Sequence, residues 1–115
     1  MTDAVKSIAI LGGTGDLGGG LARQWSRAGY KIFIGSRTLE KAQAAVAALQ
    51  EISPDTPADA MENLDAAAAG DIVVLTVPAE HQISTLDYVK ENLSGKILID
   101  VVYPITSTDS FATAI

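Results

Sequence analysis

The run Gly12-Gly13-Thr14-Gly15-Asp16-Leu17-Gly18 is the segment best equipped for chemistry. Within it Gly13, Gly15 and Gly18 satisfy G-x-G-x-x-G. The run follows the apolar Ile8-Ala9-Ile10-Leu11 and opens an amphipathic stretch, the strand–turn–helix context in which such glycines cradle a dinucleotide. Gly13 permits the tight turn, Gly15 lets a pyrophosphate approach the backbone, and Gly18 lets the helix pack closely on the strand. The free N–H groups at the helix start then face the phosphate charge. Thr14 adds a hydroxyl donor. Asp16 has two readings, a neighbour of the phosphate or a helix N-cap; the cap is favoured, because an acid beside a pyrophosphate is repelled. The plain alternative is a glycine-rich turn without a ligand, and the context favours the ligand.

A fold of this kind that binds NAD usually carries an Asp or Glu about 20 residues beyond the glycines, on the ribose 2′-hydroxyl. Residues 31–38 read Lys-Ile-Phe-Ile-Gly-Ser-Arg-Thr and contain no acid. Ser36 and Arg37 stand where the acid would be. Arginine forks onto a 2′-phosphate and stacks on adenine. Ser36 and Thr38 supply hydroxyl donors, and Lys41, one turn into the next helix, is a second cation. A solvent-facing basic cluster is the alternative. A missing acid together with a positive group favours NADP over NAD.

The nicotinamide end falls to residues after the fourth and fifth strands: Thr76, Val77, Pro78 and His81, then Val102, Tyr103 and Pro104. Val77 and Pro78 form an apolar shelf. His81, the single histidine, either reaches the nicotinamide or a substrate or is a surface residue. Trp25 and Tyr30 read as packing residues, and Glu80 as a surface acid. No general acid–base constellation, Tyr-x-x-x-Lys pair, nucleophile elbow or P-loop lysine is present; Tyr88-Val89-Lys90 has the wrong spacing. Hydride transfer between planar cofactors needs none of these, because the protein's task is to position them.

The elements that must hold these residues alternate short β-rich runs with Ala-rich stretches, the pattern of βα units on a parallel sheet. Strands are expected over 7–11 and 31–34, within 55–61, and over 72–77 and 96–101. Helices are expected over 16–28, 39–50, 63–69 and 79–92. Leu17, Leu21, Trp25 and Ala28 should share the inner side of the first helix. Pro57 and two acids weaken the third strand. The unbroken apolar run 72–77 suits a central strand covered on both faces. Pro78 ends it and serves as an early helix residue. Right-handed crossovers give an α/β, Rossmann-like doubly wound sheet ordered 3-2-1-4-5, with its functional edge at the C-terminal ends of the strands. Residues 1–104 form one NADP-binding domain, and 105–115 a loosely held tail.

Composition agrees with this class. The 115 residues contain no cysteine, which excludes disulfides, thiolate metal sites and a cysteine nucleophile. Eight Lys and Arg against 14 Asp and Glu leave a net charge of -6, which repels nucleic acid. No apolar run approaches the roughly 18 residues of a membrane span, and the N-terminus is too short for a secretory leader before the first strand. A soluble, cytoplasmic protein is expected.

Four segments together resemble the F420-dependent NADP oxidoreductases, also called NADPH-dependent F420 reductases. They are 8–18, the run Ile34-Gly35-Ser36-Arg37, the stretch 73–81 ending Val77-Pro78-Ala79-Glu80-His81, and 95–100. The likeness covers nearly all of residues 7–104. The cytosolic domain of the six-transmembrane metalloreductases is similar too. The resemblance implies pyrophosphate contacts at Thr14, Gly15, Asp16 and Leu17, 2′-phosphate contacts at Ser36 and Arg37, and nicotinamide contacts at Val77, Pro78 and His81. It implies NADP(H) as coenzyme and a deazaflavin, F420, or a flavin-like molecule as acceptor. Family enzymes continue past the fifth strand into a small helical domain that helps form the deazaflavin pocket and the dimer. This chain stops at Ile115, and Tyr103 stands where a smaller or amide residue is expected. An uncovered apolar surface favours self-association, so a homodimer is expected. The alternatives to an oxidoreductase are a stand-alone NADP-binding module, acting as a sensor or as one subunit of a split enzyme, and a fragment with no independent role.

Overall fold

Three apolar segments alternate in period two and so can bury both of their faces. They are β1 (Ser7–Leu11), β2 (Lys31–Ser36) and β4 (Ile72–Leu75). In the computed structural model, which describes residues 7–12 and 16–101 with the side chain of Asp16 excepted, they form the middle of a sheet. β3 (Ala58–Glu62) and β5 (Ile97–Asp100) are its edges. All pairings are parallel and the order is β3-β2-β1-β4-β5, as expected.

The helices are α1 (Asp16–Arg27), α2 (Leu39–Ile52), α3 (Asn63–Ala69) and α4 (Gln82–Val89). Ile8, Ile10, Ile32, Ile34 and Val74 face one way, against Leu21, Ala22, Trp25 and Leu49 of α1 and α2. Ala9, Leu11, Val73 and Leu75 face the other way, against Ala66, Ala67 and Val89 of α3 and α4. A one-residue slip of any central strand would exchange the two sets. Trp25 and Tyr30 pack on the first cluster.

Several boundaries differ from the sequence expectation for physical reasons. β4 stops at Leu75 rather than residue 77, because its neighbour β1 ends at Leu11 and the chain turns away at Gly12 with φ +79°. Pro78 is not in the first turn of a helix. It has extended ψ (148°) and caps a 3-10 turn, Ala79–His81, ahead of α4. A second 3-10 turn, Lys90–Leu93, follows α4, so the expected helix over 79–92 is tightened at both ends. On α1 the inward residues are Gly18, Leu21, Ala22 and Trp25; Leu17 in its first turn and Ala28 just past its end are exposed. Small Gly18 and Ala22 let the helix approach the sheet. Pro57 stands just before β3, where only its carbonyl is used, accepting from Ile32 N at 3.0 Å. The acids Asp59 and Glu62 point outward at this edge, which suits an edge strand. The expected tail 105–115 lies outside the described residues.

α3, although short, is held firmly. Lys96 Nζ donates to the carbonyls of Ala67 (2.7 Å), Ala68 (2.5 Å) and Gly70 (2.8 Å), satisfying its orphan C-terminal groups with a cation. Asn92 Nδ2 donates to Leu64 O at 3.0 Å.

Candidate functional site

The C-terminal ends of β1, β2 and β4 border a cleft of about 550 Å³ at the point where the chain switches from one face of the sheet to the other. Its floor is the turn after β1. Gly12 N donates to Gly35 O at 2.9 Å, tying the turn to β2. A Cβ on Gly12 would lie 2.7 Å from Val77 Cγ1 and 2.9 Å from Val77 N, so only glycine fits at this φ. Leu17 and Gly18 continue the wall; Leu17 is 53% exposed at the lip and Gly18 is buried. Asp16 opens α1. Gly13, Thr14, Gly15 and the Asp16 side chain lie outside the described residues, as do Val102, Tyr103 and Pro104.

At the end of β2, Ser36 is buried and Arg37 exposed, and both line the cleft with Lys41. Thr38 serves another purpose. It is the N-cap of α2, its Oγ1 accepting from Lys41 N at 3.3 Å, and it is not among the lining residues. Arg37 and Lys41 therefore flank a helix N-terminus, which already carries positive partial charge. Neither cation forms an ion pair among the described residues. In a chain of net charge -6, these two cations stand beside a helix start on the wall of the cleft.

The end of β4 is built in the opposite way. Thr76 N donates to Leu11 O at 2.9 Å, and Thr76 Oγ1 lies 2.9 Å from Leu11 O and 3.1 Å from Gly12 O. Its hydroxyl hydrogen is thus taken up by the turn. Val77 is buried against Gly12, and Pro78 lies exposed beside it, an apolar shelf. His81 N donates to Pro78 O at 2.8 Å. The His81 ring is about one-third exposed, borders the cleft, and has Nε2 3.7 Å from Glu80 Oε1.

The structure thus brings Leu17, Gly18, Ser36, Arg37, Lys41, Thr76, Val77, Pro78 and His81 to one cleft. Sequence reasoning passed over Gly12, Gly35, Asn63 and Thr85. A Cβ on Gly35 would meet Asn63 Oδ1 at 2.8 Å and Ala66 Cβ at 3.0 Å, so this glycine lets α3 press on β2. Asn63 opens α3 directly after β3 and is 4% exposed, with its Oδ1 lacking a hydrogen-bond partner among the described residues. Its position just past the C-terminal end of a parallel strand was the available signal. Thr85, 7% exposed, is a buried polar residue of α4 on the same cleft and had no such signal.

A doubly wound parallel sheet ordered β3-β2-β1-β4-β5, with a cleft at its switch point, defines a Rossmann-like fold. Residues 7–104 match the family described as NADP oxidoreductase, coenzyme F420-dependent, and the chain belongs to it. The F420-dependent NADP reductase of Methanothermobacter thermautotrophicus is 45% identical over 105 residues, 90% of this chain and 45% of that protein. That of Methanocaldococcus jannaschii is 44% identical over 104 residues, 87% of this chain and 46% of its own. The chain thus spans a little under half the length of these relatives. Among solved structures, a protein from Arthrobacter sp. FB24 assigned as an F420-dependent NADP-reductase superposes with TM-score 0.72 at 31% identity, over 88% of this chain and 46% of that one. The pyrroline carboxylate reductase of Plasmodium falciparum, solved with NADP bound, shares the fold (TM-score 0.63, 23% identity, 89% of this chain and 35% of that one).

Proposed function

We propose that the cleft binds NADP(H), and that the chain takes part in hydride transfer between this coenzyme and a deazaflavin of the F420 type or a flavin-like acceptor. One observation carries the coenzyme reading: Arg37 and Lys41 line the cleft without carboxylate partners among the described residues, and residues 31–38 hold no acid to receive a free 2′-hydroxyl. The cleft fits the group in other respects. The backbone at Gly12 leaves no room for a side chain, and the turn leads into a helix N-terminus that favours phosphate. The pyrophosphate is assigned to the turn with Gly13, Thr14, Gly15 and Asp16, the 2′-phosphate to Ser36, Arg37 and Lys41, and the nicotinamide to Val77, Pro78 and His81. When bound, the coenzyme supplies a hydride donor or acceptor at its nicotinamide. The protein's part is to fix the ring against the Val77–Pro78 shelf and to keep that shelf rigid through Thr76. The names of the M. thermautotrophicus and M. jannaschii relatives support F420 as the second partner.

Calorimetric titration with NADPH and NADH tests the coenzyme. NADPH is expected to bind about tenfold tighter or better, the worth of one charge-assisted contact; equal affinities overturn the reading. An anaerobic screen with F420 and FMN tests the reaction. Tight NADPH binding without turnover on either would instead make the chain a coenzyme-binding module.

The apolar edge strand supports an association. Ile97, Leu98 and Ile99 of β5, an edge strand among the described residues, are 57%, 39% and 38% exposed, and an apolar edge strand is a template for pairing. A homodimer through this edge is the proposed assembly. Light scattering should give twice the chain mass, and Ile97→Lys should return the monomer.

A further inference from the structure

The segment after β4 leaves the sheet and returns to it. Leu75 is the last residue of β4, and its partner in the parallel register is Asp100, the last residue of β5. Val101 N donates to Leu75 O at 3.2 Å beside them. From Leu75 the chain runs out through Thr76, Val77 and Pro78 and the 3-10 turn Ala79–His81 to Gln82, at the head of α4. Of residues 76–81, all but Ala79 border the cleft. Gln82 and Asp100 do not. Their side chains turn to one another instead, Gln82 Nε2 donating to Asp100 Oδ2 at 2.5 Å. A carboxylate only accepts, so the amide nitrogen is the end that faces it.

Resting on the NADP(H) reading above, we propose that Gln82 and Asp100 are positioning residues. Their hydrogen bond closes the excursion 76–82 onto β5, and so fixes where the Val77–Pro78 shelf and His81 meet the nicotinamide. At its near end the segment is already pinned, through the bonds of Thr76 to Leu11 and Gly12. Its far end is tied differently. Neither the 3-10 turn nor α4 has a side-chain cap at its start. The bonds from His81 N to Pro78 O and from Ser84 Oγ to His81 O run within the segment and α4, so they shape the turn without locating it against the sheet. The Gln82–Asp100 bond does locate it, because the sheet ladder holds Asp100 beside Leu75. One partner is ionised, which makes the bond short and directional. Asp100 is exposed and Gln82 partly buried, and a surface contact of this kind adds little to global stability. Its effect falls on the placement of the segment. A segment closed at both ends has fewer arrangements to lose when a ring is seated on it.

The test uses the full chain and two ligands, NADPH and adenosine 2′,5′-bisphosphate, which lacks the nicotinamide. Calorimetry gives the affinities, and the fluorescence anisotropy of NADPH at saturation reports how firmly its ring is held. Gln82→Leu removes the donor. It should weaken NADPH by about three- to fivefold, the scale of one partly exposed hydrogen bond, and lower the anisotropy, while the bisphosphate binds as to the parent. Gln82→Glu sets two carboxylates against each other and should weaken NADPH about tenfold. The exchanged pair, Gln82→Glu with Asp100→Asn, returns an amide donor opposite a carboxylate and should recover most of the affinity and the anisotropy. Parental affinity and anisotropy for NADPH in both single variants would overturn the proposal. Equal losses for NADPH and the bisphosphate would do so too, since a general loosening of the fold does not single out the nicotinamide end. An exchanged pair no tighter for NADPH than Gln82→Glu would show that the effect does not pass through this bond. In each of these cases a bisphosphate bound by the parent leaves the NADP(H) reading intact. A parent chain that binds neither ligand would remove both readings together.

Discussion

The two ends of the cleft solve different problems. At the end of β2, charge is left unmatched: Arg37 and Lys41 border the cleft without ion pairs among the described residues, and Ser36, the last residue of the strand, is buried. At the end of β4, the polar and packing capacity of the protein is spent internally. The Thr76 hydroxyl is held by the carbonyls of Leu11 and Gly12, and Val77 is pressed against Gly12. On the proposed reading the first end discriminates, because an unpaired charge gains most from a ligand that carries the opposite one. The second is organised to position, because a shelf already hydrogen-bonded and packed loses little on binding. An oxidoreductase needs both, since selecting the coenzyme and holding its reactive ring are separate demands.

Gly12 joins the two ends, and its replacement should do the most damage. Gly12→Ala places a Cβ within 3 Å of Val77 at a left-handed φ. It should cost about 3 kcal/mol of stability in urea denaturation, the scale of backbone strain combined with overpacking, and should impair both ends at once. A variant of parental stability would mean that Val77 is free to move. Arg37→Ala separates the ends. It should weaken NADPH by about 1–3 kcal/mol through loss of charge-assisted hydrogen bonds and leave NADH nearly unchanged; equal losses would show that the end of β2 does not discriminate. Thr76→Val is the mildest probe. It removes the hydroxyl contacts with Leu11 and Gly12 and should cost about 1 kcal/mol of stability, without altering the ratio of NADPH to NADH affinity. A changed ratio would show that the β4 end takes part in selection.

Most of the scaffold was legible from local pattern. Ile8, Ile10, Ile32 and Ile34 alternate with Ala9, Leu11 and Phe33, and such alternation between Ala-rich helices admits few sheet orders. The exposed Arg37 and Lys41 at the acid-free end of β2 were legible for a related reason: they belong to one contiguous stretch of chain. Boundaries were less so. β4 stops at Leu75 because its neighbour turns away, and nothing within Thr76-Val77 announces that. The inner side of α1 was misjudged at its ends because Leu17 and Ala28 fit the helical period, yet the sheet does not extend far enough to cover them. Gly35 was legible only as a break in an apolar strand; that α3 presses against it is a property of two elements.

The residue order alone thus dictated the parallel sheet, the switch point and the two cations beyond the end of β2, since strand periodicity and charge act over a few neighbouring residues. Three-dimensional packing was needed to bring Asn63 of α3 and Tyr88 of α4 beside Arg37 of β2's end. That meeting depends on how two helices on one face settle against the sheet. It is set by the Lys96 and Asn92 anchors and by the missing side chain at Gly35, all remote in sequence from the residues they place.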